Sequence, residues 1–159
     1  MIEVTTSVLA TQAFLRGMPP GHLDALVDAA TDVTFPARHR IFAEGGHAAR
    51  FWLIRAGHVA LDLQVPGVGP VVIENVGIGG LIGWSWLFPP YQWKFGAVCA
   101  SPVEAFQFDA AIVRGRCAAD PGLGYDLTTR LARVLAGRLQ TTRTRLAAEC
   151  RGTLPVSDE

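Results

Sequence analysis

The sequence predicts a mainly β domain, a barrel or sandwich of short strands with helices before it and one long helix after it. Three observations carry this reading. Between Val33 and Phe108, runs rich in β-branched and aromatic residues alternate with Gly and Pro turns. Before them, Phe14, Leu15, Met18, Leu23, Leu26, Val27 and Ala30 recur at helical spacing, broken at Pro19-Pro20. After them, Leu127, Leu131, Val134, Leu135, Leu139 and Leu146 form one apolar stripe of a long amphipathic helix. A chain of 159 residues suffices for one core.

The elements follow in order. Residues 1–13 are expected as an N-terminal extension, and residues 14–30 as two short helices, the second starting near Gly21. Strands are expected in VTF, RIFAEGG, FWLIRAGHVALDLQV and VVIENV. Arg55-Ala56-Gly57 joins residues 51–54 to residues 58–65 as a paired hairpin, and residues 66–70, Pro-Gly-Val-Gly-Pro, form a second tip. Residues 77–80 make a third turn; strand character returns at residues 95–100 and 103–108, and the pattern is helical after Asp109. The charged face of the last helix, with Arg130, Arg133, Arg138, Arg143 and Arg145, reads as solvated. Residues 148–159 are expected as a flexible tail.

Composition excludes several classes. Hydrophobic residues make up 50% of the chain and charged residues 18%, with formal charge zero. This gives no chain-wide electrostatic case for nucleic acid or an acidic membrane. Cys99, Cys117 and Cys150 lack CxxC spacing, which fits reduced thiols rather than a disulfide framework or zinc site. No basic segment leads into a sustained apolar run, so a cytoplasmic location without membrane association is expected. His22, His39, His47 and His58 show no metal-binding spacing, and Ser85 in Gly-Trp-Ser-Trp-Leu lacks the second glycine of a nucleophile elbow. No catalytic residue, metal or cofactor is expected.

The series IFAEGGHAARFWLIRAGHVALDL, residues 41–63, resembles the first half of a cyclic-nucleotide-binding domain of the Crp/Fnr type. Phe35-Pro36-Ala37, Gly79, Gly83 and Val103-Glu104-Ala105-Phe106 continue the likeness over about residues 14–147. The resemblance implies a double-stranded β-helix (jelly-roll) barrel. Gly45 and Gly57 fall where tight turns call for glycine, while Phe42, Phe51, Leu53, Val59, Leu61 and Leu63 supply inward side chains.

In that family a phosphate-binding cassette carries Gly-Glu and, about ten residues on, an Arg. The Glu accepts the ribose hydroxyl and the Arg neutralises the cyclic phosphate. The resemblance places the cassette on Gly83, Trp84, Ser85, Trp86, Trp93 and Lys94, with Trp84 where Glu is usual and Trp93-Lys94 where Arg is usual. Lysine can neutralise a phosphate but lacks the guanidinium fork. Each lost charge-assisted hydrogen bond costs about 1.5–3 kcal/mol, so cAMP and cGMP binding is expected to be lost.

Three readings of GWSWLFPPYQW, residues 83–93, stand side by side. The indoles fill the former pocket as core, or they stack on a different ligand such as a nucleotide, or they face a protein partner. Regulators of this family carry a DNA-binding domain after the long helix, whereas this sequence stops soon after Leu146, so DNA binding is not expected. Single-domain relatives serve as accessory subunits, including in soluble pyridine-nucleotide-linked hydrogenases. The resemblance therefore implies a non-catalytic scaffolding or accessory module, a homodimer or a subunit of a larger complex. Leu127, Leu131, Val134, Leu135, Arg138 and Leu139 are its expected interface. The alternative is a small-molecule sensor with altered nucleotide specificity.

Overall fold

The computed structural model describes residues 2–153, the side chains of 152 and 153 excepted. Helix α1 (Thr6–Ala10) starts at Thr5, whose side chain accepts from Val8 N, and α2 (Pro20–Val27) starts with its proline in the first turn. Eight strands follow: β1 (Ala30–Phe35), β2 (Arg40–Phe42), β3 (Arg50–Ala56), β4 (Val59–Val65), β5 (Gly69–Val76), β6 (Leu81–Ile82), β7 (Gly96–Cys99) and β8 (Val103–Asp109). Helix α3 (Ala110–Ala119) is capped by the Asp109 carboxylate, and α4 (Pro121–Thr153) closes the order.

The strands form two antiparallel sheets, β1-β8-β3-β6 and β2-β7-β4-β5. Neither sheet closes on itself, and the two four-stranded layers share one core of buried side chains. Of the extension expected over residues 1–13, the described part, residues 2–13, carries α1 and a core contact. Leu9 is fully buried in the core, and Thr6 Oγ1 donates to the Asp24 carboxylate. The flexible tail expected from residue 148 is helical through Thr153, and its remainder, residues 154–159, lies outside the described residues.

One pairing differs from the sequence reading. Strands β3 and β4 do not pair: β3 lies between β6 and β8, whereas β4 lies between β5 and β7. Gly57 is therefore a corner between sheets rather than a hairpin tip. It adopts φ 88°, and a Cβ there would collide with the Pro102 carbonyl oxygen. His58 N donates to Ser101 Oγ at 3.0 Å and Ala100 N to the His58 carbonyl at 2.9 Å, so the corner is bonded to the β7–β8 connection. The β4–β5 hairpin does form, with Gly67 and Gly69 at positive φ in its tip.

The second sheet is held by an ion pair. Arg40 on β2 reaches across β7 to Asp62 on β4 with a forked contact of 2.7 and 3.1 Å. Gly96 on β7 leaves room for this fork, because a Cβ would strike both groups. Donating to the Asp62 carboxylate raises the Arg40 guanidinium above its ordinary value, outweighing burial. In the first sheet, Asp32 joins the N-terminal segment to β3: it accepts from Ile2 N at 2.8 Å and pairs with Arg55, which also lies 4.7 Å over the Phe106 ring. Burial pushes the Asp32 carboxyl up, but the bonds from Ile2 and Arg55 outweigh it and hold the group below its ordinary value.

Two outcomes follow. Gly57→Ala incurs the left-handed penalty and a backbone clash, about 3 kcal/mol together, whereas Gly67→Ala, with open space at its Cβ, loses only about 1 kcal/mol. Urea midpoints at unchanged slope measure both. Because Asp32 is depressed in the folded state, its stabilisation is present above the ordinary carboxylate range and is lost as pH falls through the folded value. Asp32→Asn should therefore lower stability at pH 7 and flatten the acid limb of a stability-against-pH curve.

Candidate functional site

The residues expected to form the cassette lie between β6 and β7. Gly83 follows β6 at φ 89°, and a short 3-10 helix, Ser85–Leu87, follows Trp84. Three buried rings fix that helix to the first sheet: Phe51 stacks on Trp86 on one side and on Phe108 on the other, each with centroids 4.7 Å apart. Trp86 is 1% exposed. Its carbonyl accepts from Arg114 of α3 at 2.7 Å, and the same guanidinium lies 4.4 Å over the Tyr91 ring. Tyr91, at φ 55°, is further held by Ala48 N donating to its carbonyl at 2.6 Å.

Trp93 is also buried. Its ring stacks on Phe42 with centroids 3.9 Å apart and approaches Trp52 at 6.1 Å. Gly83 permits this packing, since a Cβ there would come within 2.8 Å of the Trp93 ring. Trp84 is half-buried and meets Phe88 and Phe95, while the Lys94 side chain is exposed and has no bonded partner among the described residues. The candidate residues thus separate: Trp86 and Trp93 are core, Trp84 lies at the margin, and Lys94 faces solvent. Ser85 is buried, and its Oγ, like Trp86 Nε1, has no hydrogen-bond partner among the described residues.

An arginine of α4 also reaches this region. Arg138 donates to the Leu81 carbonyl on β6, two residues before Gly83, and its Nε lies 3.5 Å from Glu74 of β5. Burial lowers its guanidinium from the ordinary value against the pull of Glu74, and Nη1 is unpartnered among the described residues. Arg145 donates to the Ile73 carbonyl, and Arg130 to the carbonyls of Phe14 and Arg16 at 2.9 and 2.8 Å. The arginine face expected to be solvated therefore includes three groups that tie α4 to the rest of the domain. No sequence signal separated these from Arg133 and Arg143, because the distinction depends on which carbonyls lie opposite.

The apolar stripe of α4 divides as well. Leu127 and Leu131 are 2% and 3% exposed and belong to the core, so these two expected interface residues are not available to a partner. Val134 and Leu135 are half-buried, whereas Leu139 and Leu146 are 51% and 60% exposed. Among the described residues no cluster of three or more His, Cys, Asp or Glu could hold a metal ion, and no helix is long and apolar enough to cross a membrane. Burial pushes the thiols of Cys99 and Cys117 up, which disfavours the reactive thiolate.

No family model matches the chain. The CRP-like cAMP-activated global transcriptional regulator of Mycobacterium tuberculosis is 29% identical over 140 residues, which cover 88% of this chain and 61% of that protein. A cyclic nucleotide-binding domain from Methylobacillus flagellatus matches with a TM-score of 0.77 at 19% identity, covering 96% of this chain and 84% of that one. The chain has the cyclic-nucleotide-binding fold of the Crp/Fnr type. Thermus thermophilus catabolite activator protein shares this fold at a TM-score of 0.68 and 20% identity, over 86% of this chain and 62% of that one. The chain spans about three fifths of the length of the curated relatives it matches, 61%. Within this fold the indoles of Trp84, Trp86 and Trp93 lie on the connection between β6 and β7.

The Arg138 anchor can be tested by stability. Arg138→Met keeps the stem but leaves Glu74 and the Leu81 carbonyl without their donor. A loss of about 2 kcal/mol in chemical unfolding is expected, against less than about 0.5 kcal/mol for Arg133→Met, whose side chain has no bonded partner among the described residues.

Proposed function

We propose that the chain is a non-catalytic module on the cyclic-nucleotide-binding scaffold that does not hold cAMP or cGMP and acts through protein–protein contacts, as a dimer or as an accessory subunit. The observation that carries this reading is the cassette itself. Trp93 is buried on Gly83 and Phe42, Trp84 stands where the sequence resemblance puts the ribose acceptor, and Lys94 is turned to solvent. The exposed half of the α4 stripe supports the second part: Leu139 and Leu146 are apolar, and Leu146 borders a groove that Val71 and Val72 of β5 also line.

Calorimetric titration with cAMP and cGMP should give no saturable heat. Saturable micromolar binding by the unaltered chain would overturn the first part. Light scattering should give the mass of a dimer, shifted to the monomer by Leu139→Glu, an exposed position whose change leaves the core intact. A monomer that recovers no partner from cell extract would remove the second part.

One observation favours a second reading, a small-molecule sensor with altered nucleotide specificity. Ser85 Oγ, Trp86 Nε1 and Arg138 Nη1 are buried polar atoms without partners among the described residues, and all belong to the cassette helix or to the arginine bonded to β6. A thermal shift with one nucleotide of a panel that includes pyridine nucleotides supports it, and no shift with any of them removes it.

A further inference from the structure

A recess of about 340 Å3 lies between the short turn at residues 13–16 and α4, lined by Ala13, Phe14, Arg16, Arg130, Arg133 and Val134. Three of these six residues are arginines and none is an acid. Arg130 and Arg133 share a face because they stand three residues apart on a helix, with Val134 beside them. Arg130 is the fixed wall. Its Nη1 donates to the carbonyls of Phe14 and Arg16 at 2.9 and 2.8 Å, and its Nε donates to Asp126 at 2.7 Å. The two sides of the recess are thereby tied together before any guest arrives.

Arg16 is placed by its neighbours: Leu15 and Met18 are buried in the core, and Arg16 N donates to the Ala13 carbonyl at 3.3 Å. The side chains of Arg16 and Arg133 are exposed and have no bonded partner among the described residues. Asp126 is already engaged, accepting from Arg130 and facing His22 Nδ1 at 3.4 Å. Two free cations and one paired cation therefore surround one opening whose lining holds no counter-charge. Like charges so placed repel, and a polyvalent anion between them removes that repulsion. A carboxylate offers two oxygens and suits one guanidinium fork. A phosphate offers three, so it can bond guanidiniums on opposite walls at once. Phe14 and Val134, both half-buried, add apolar edge for the body of a small ester.

We infer that this recess binds a phosphate oxyanion, free diphosphate or the phosphate of a small ester, held by Arg16 of the N-terminal segment and Arg133 of α4 beside the Arg130 wall. The site does not depend on the proposed function, since no residue of 83–94 lines it. When occupied it adds a charged link between the N-terminal segment and α4.

Calorimetric titration of the full chain in about 0.1 M chloride tests this, with inorganic diphosphate and phenyl phosphate as the two probes. A saturable site with a dissociation constant below about 1 mM is expected for at least one of them, and the tighter probe identifies the source. Arg16→Met and Arg133→Met each remove a charge-assisted contact from an exposed position and should weaken binding about tenfold or more. Arg143→Met, at an exposed arginine of α4 outside the recess, should leave binding unchanged. All three variants should keep the urea midpoint of the unaltered chain when no phosphate is present. In the 15N-labelled chain, the backbone amide resonances of residues 13–17 and 130–134 should move together along the same saturation curve. No saturable binding up to about 10 mM, equal weakening by Arg143→Met, or binding that survives both recess substitutions overturns the inference.

Discussion

The stack of Trp86, Phe51 and Phe108 is the contact on which the site depends. Phe51 belongs to β3 and Phe108 to β8, neighbours in register, so their parallel rings are a cross-strand pair at the centre of the first sheet. Trp86 extends that pair by one ring and thereby seats the cassette helix on the sheet. From there order spreads outward. Arg114 of α3 takes the Trp86 carbonyl and covers Tyr91, and the Tyr91 carbonyl accepts from Ala48 of the β2–β3 turn. The aromatic stretch is thus joined to a helix, a sheet and a turn, which explains how Tyr91 is kept in a left-handed conformation that costs about 1 kcal/mol or more.

The sequence made the strand series legible because glycine turns and alternating apolar residues are local signals. The β4–β5 hairpin and the positive φ at Gly45 and Gly57 are of this kind. The pairing of β3 with β4 was not legible, for a physical reason. A short glycine-containing connection is compatible with a hairpin and with a corner between sheets, and the choice is made by the close approach of Gly57 to Pro102, some 45 residues away in sequence. Likewise α1 has a cap at Thr5, but its place in the core rests on Leu9 meeting a surface that exists only once the sheets have formed.

The α4 stripe is apolar along its length, but only part of it is exposed. Periodicity assigns side chains to one face of a helix but not to one neighbour along it. At about 1.5 Å per residue, the 33-residue helix is roughly 50 Å long. Its first turns deliver Leu127 and Leu131 to the core, and the same stripe further on emerges at Leu139 and Leu146. The arginines show the complementary limit. Arg130, Arg138 and Arg145 are not distinguished by spacing from arginines that meet only solvent, yet they bond carbonyls of the N-terminal segment, β6 and β5.

Those arginine ties bear on how such a domain could signal. A ligand moves a helix only through a difference in affinity for its two positions. Where a pocket is built from an acid and a guanidinium, the unliganded state leaves charges poorly paired, and the ligand supplies that difference. Here the positions that the sequence resemblance assigns to that acid and guanidinium hold an indole and a solvent-facing ammonium, while α4 is held by arginines on main-chain carbonyls. Arg138 is the tie most open to competition, because it is desolvated and has one donor unpartnered among the described residues. An anion or a partner carboxylate that drew it from Glu74 would gain a full charge-assisted bond and release the Leu81 carbonyl in the same movement.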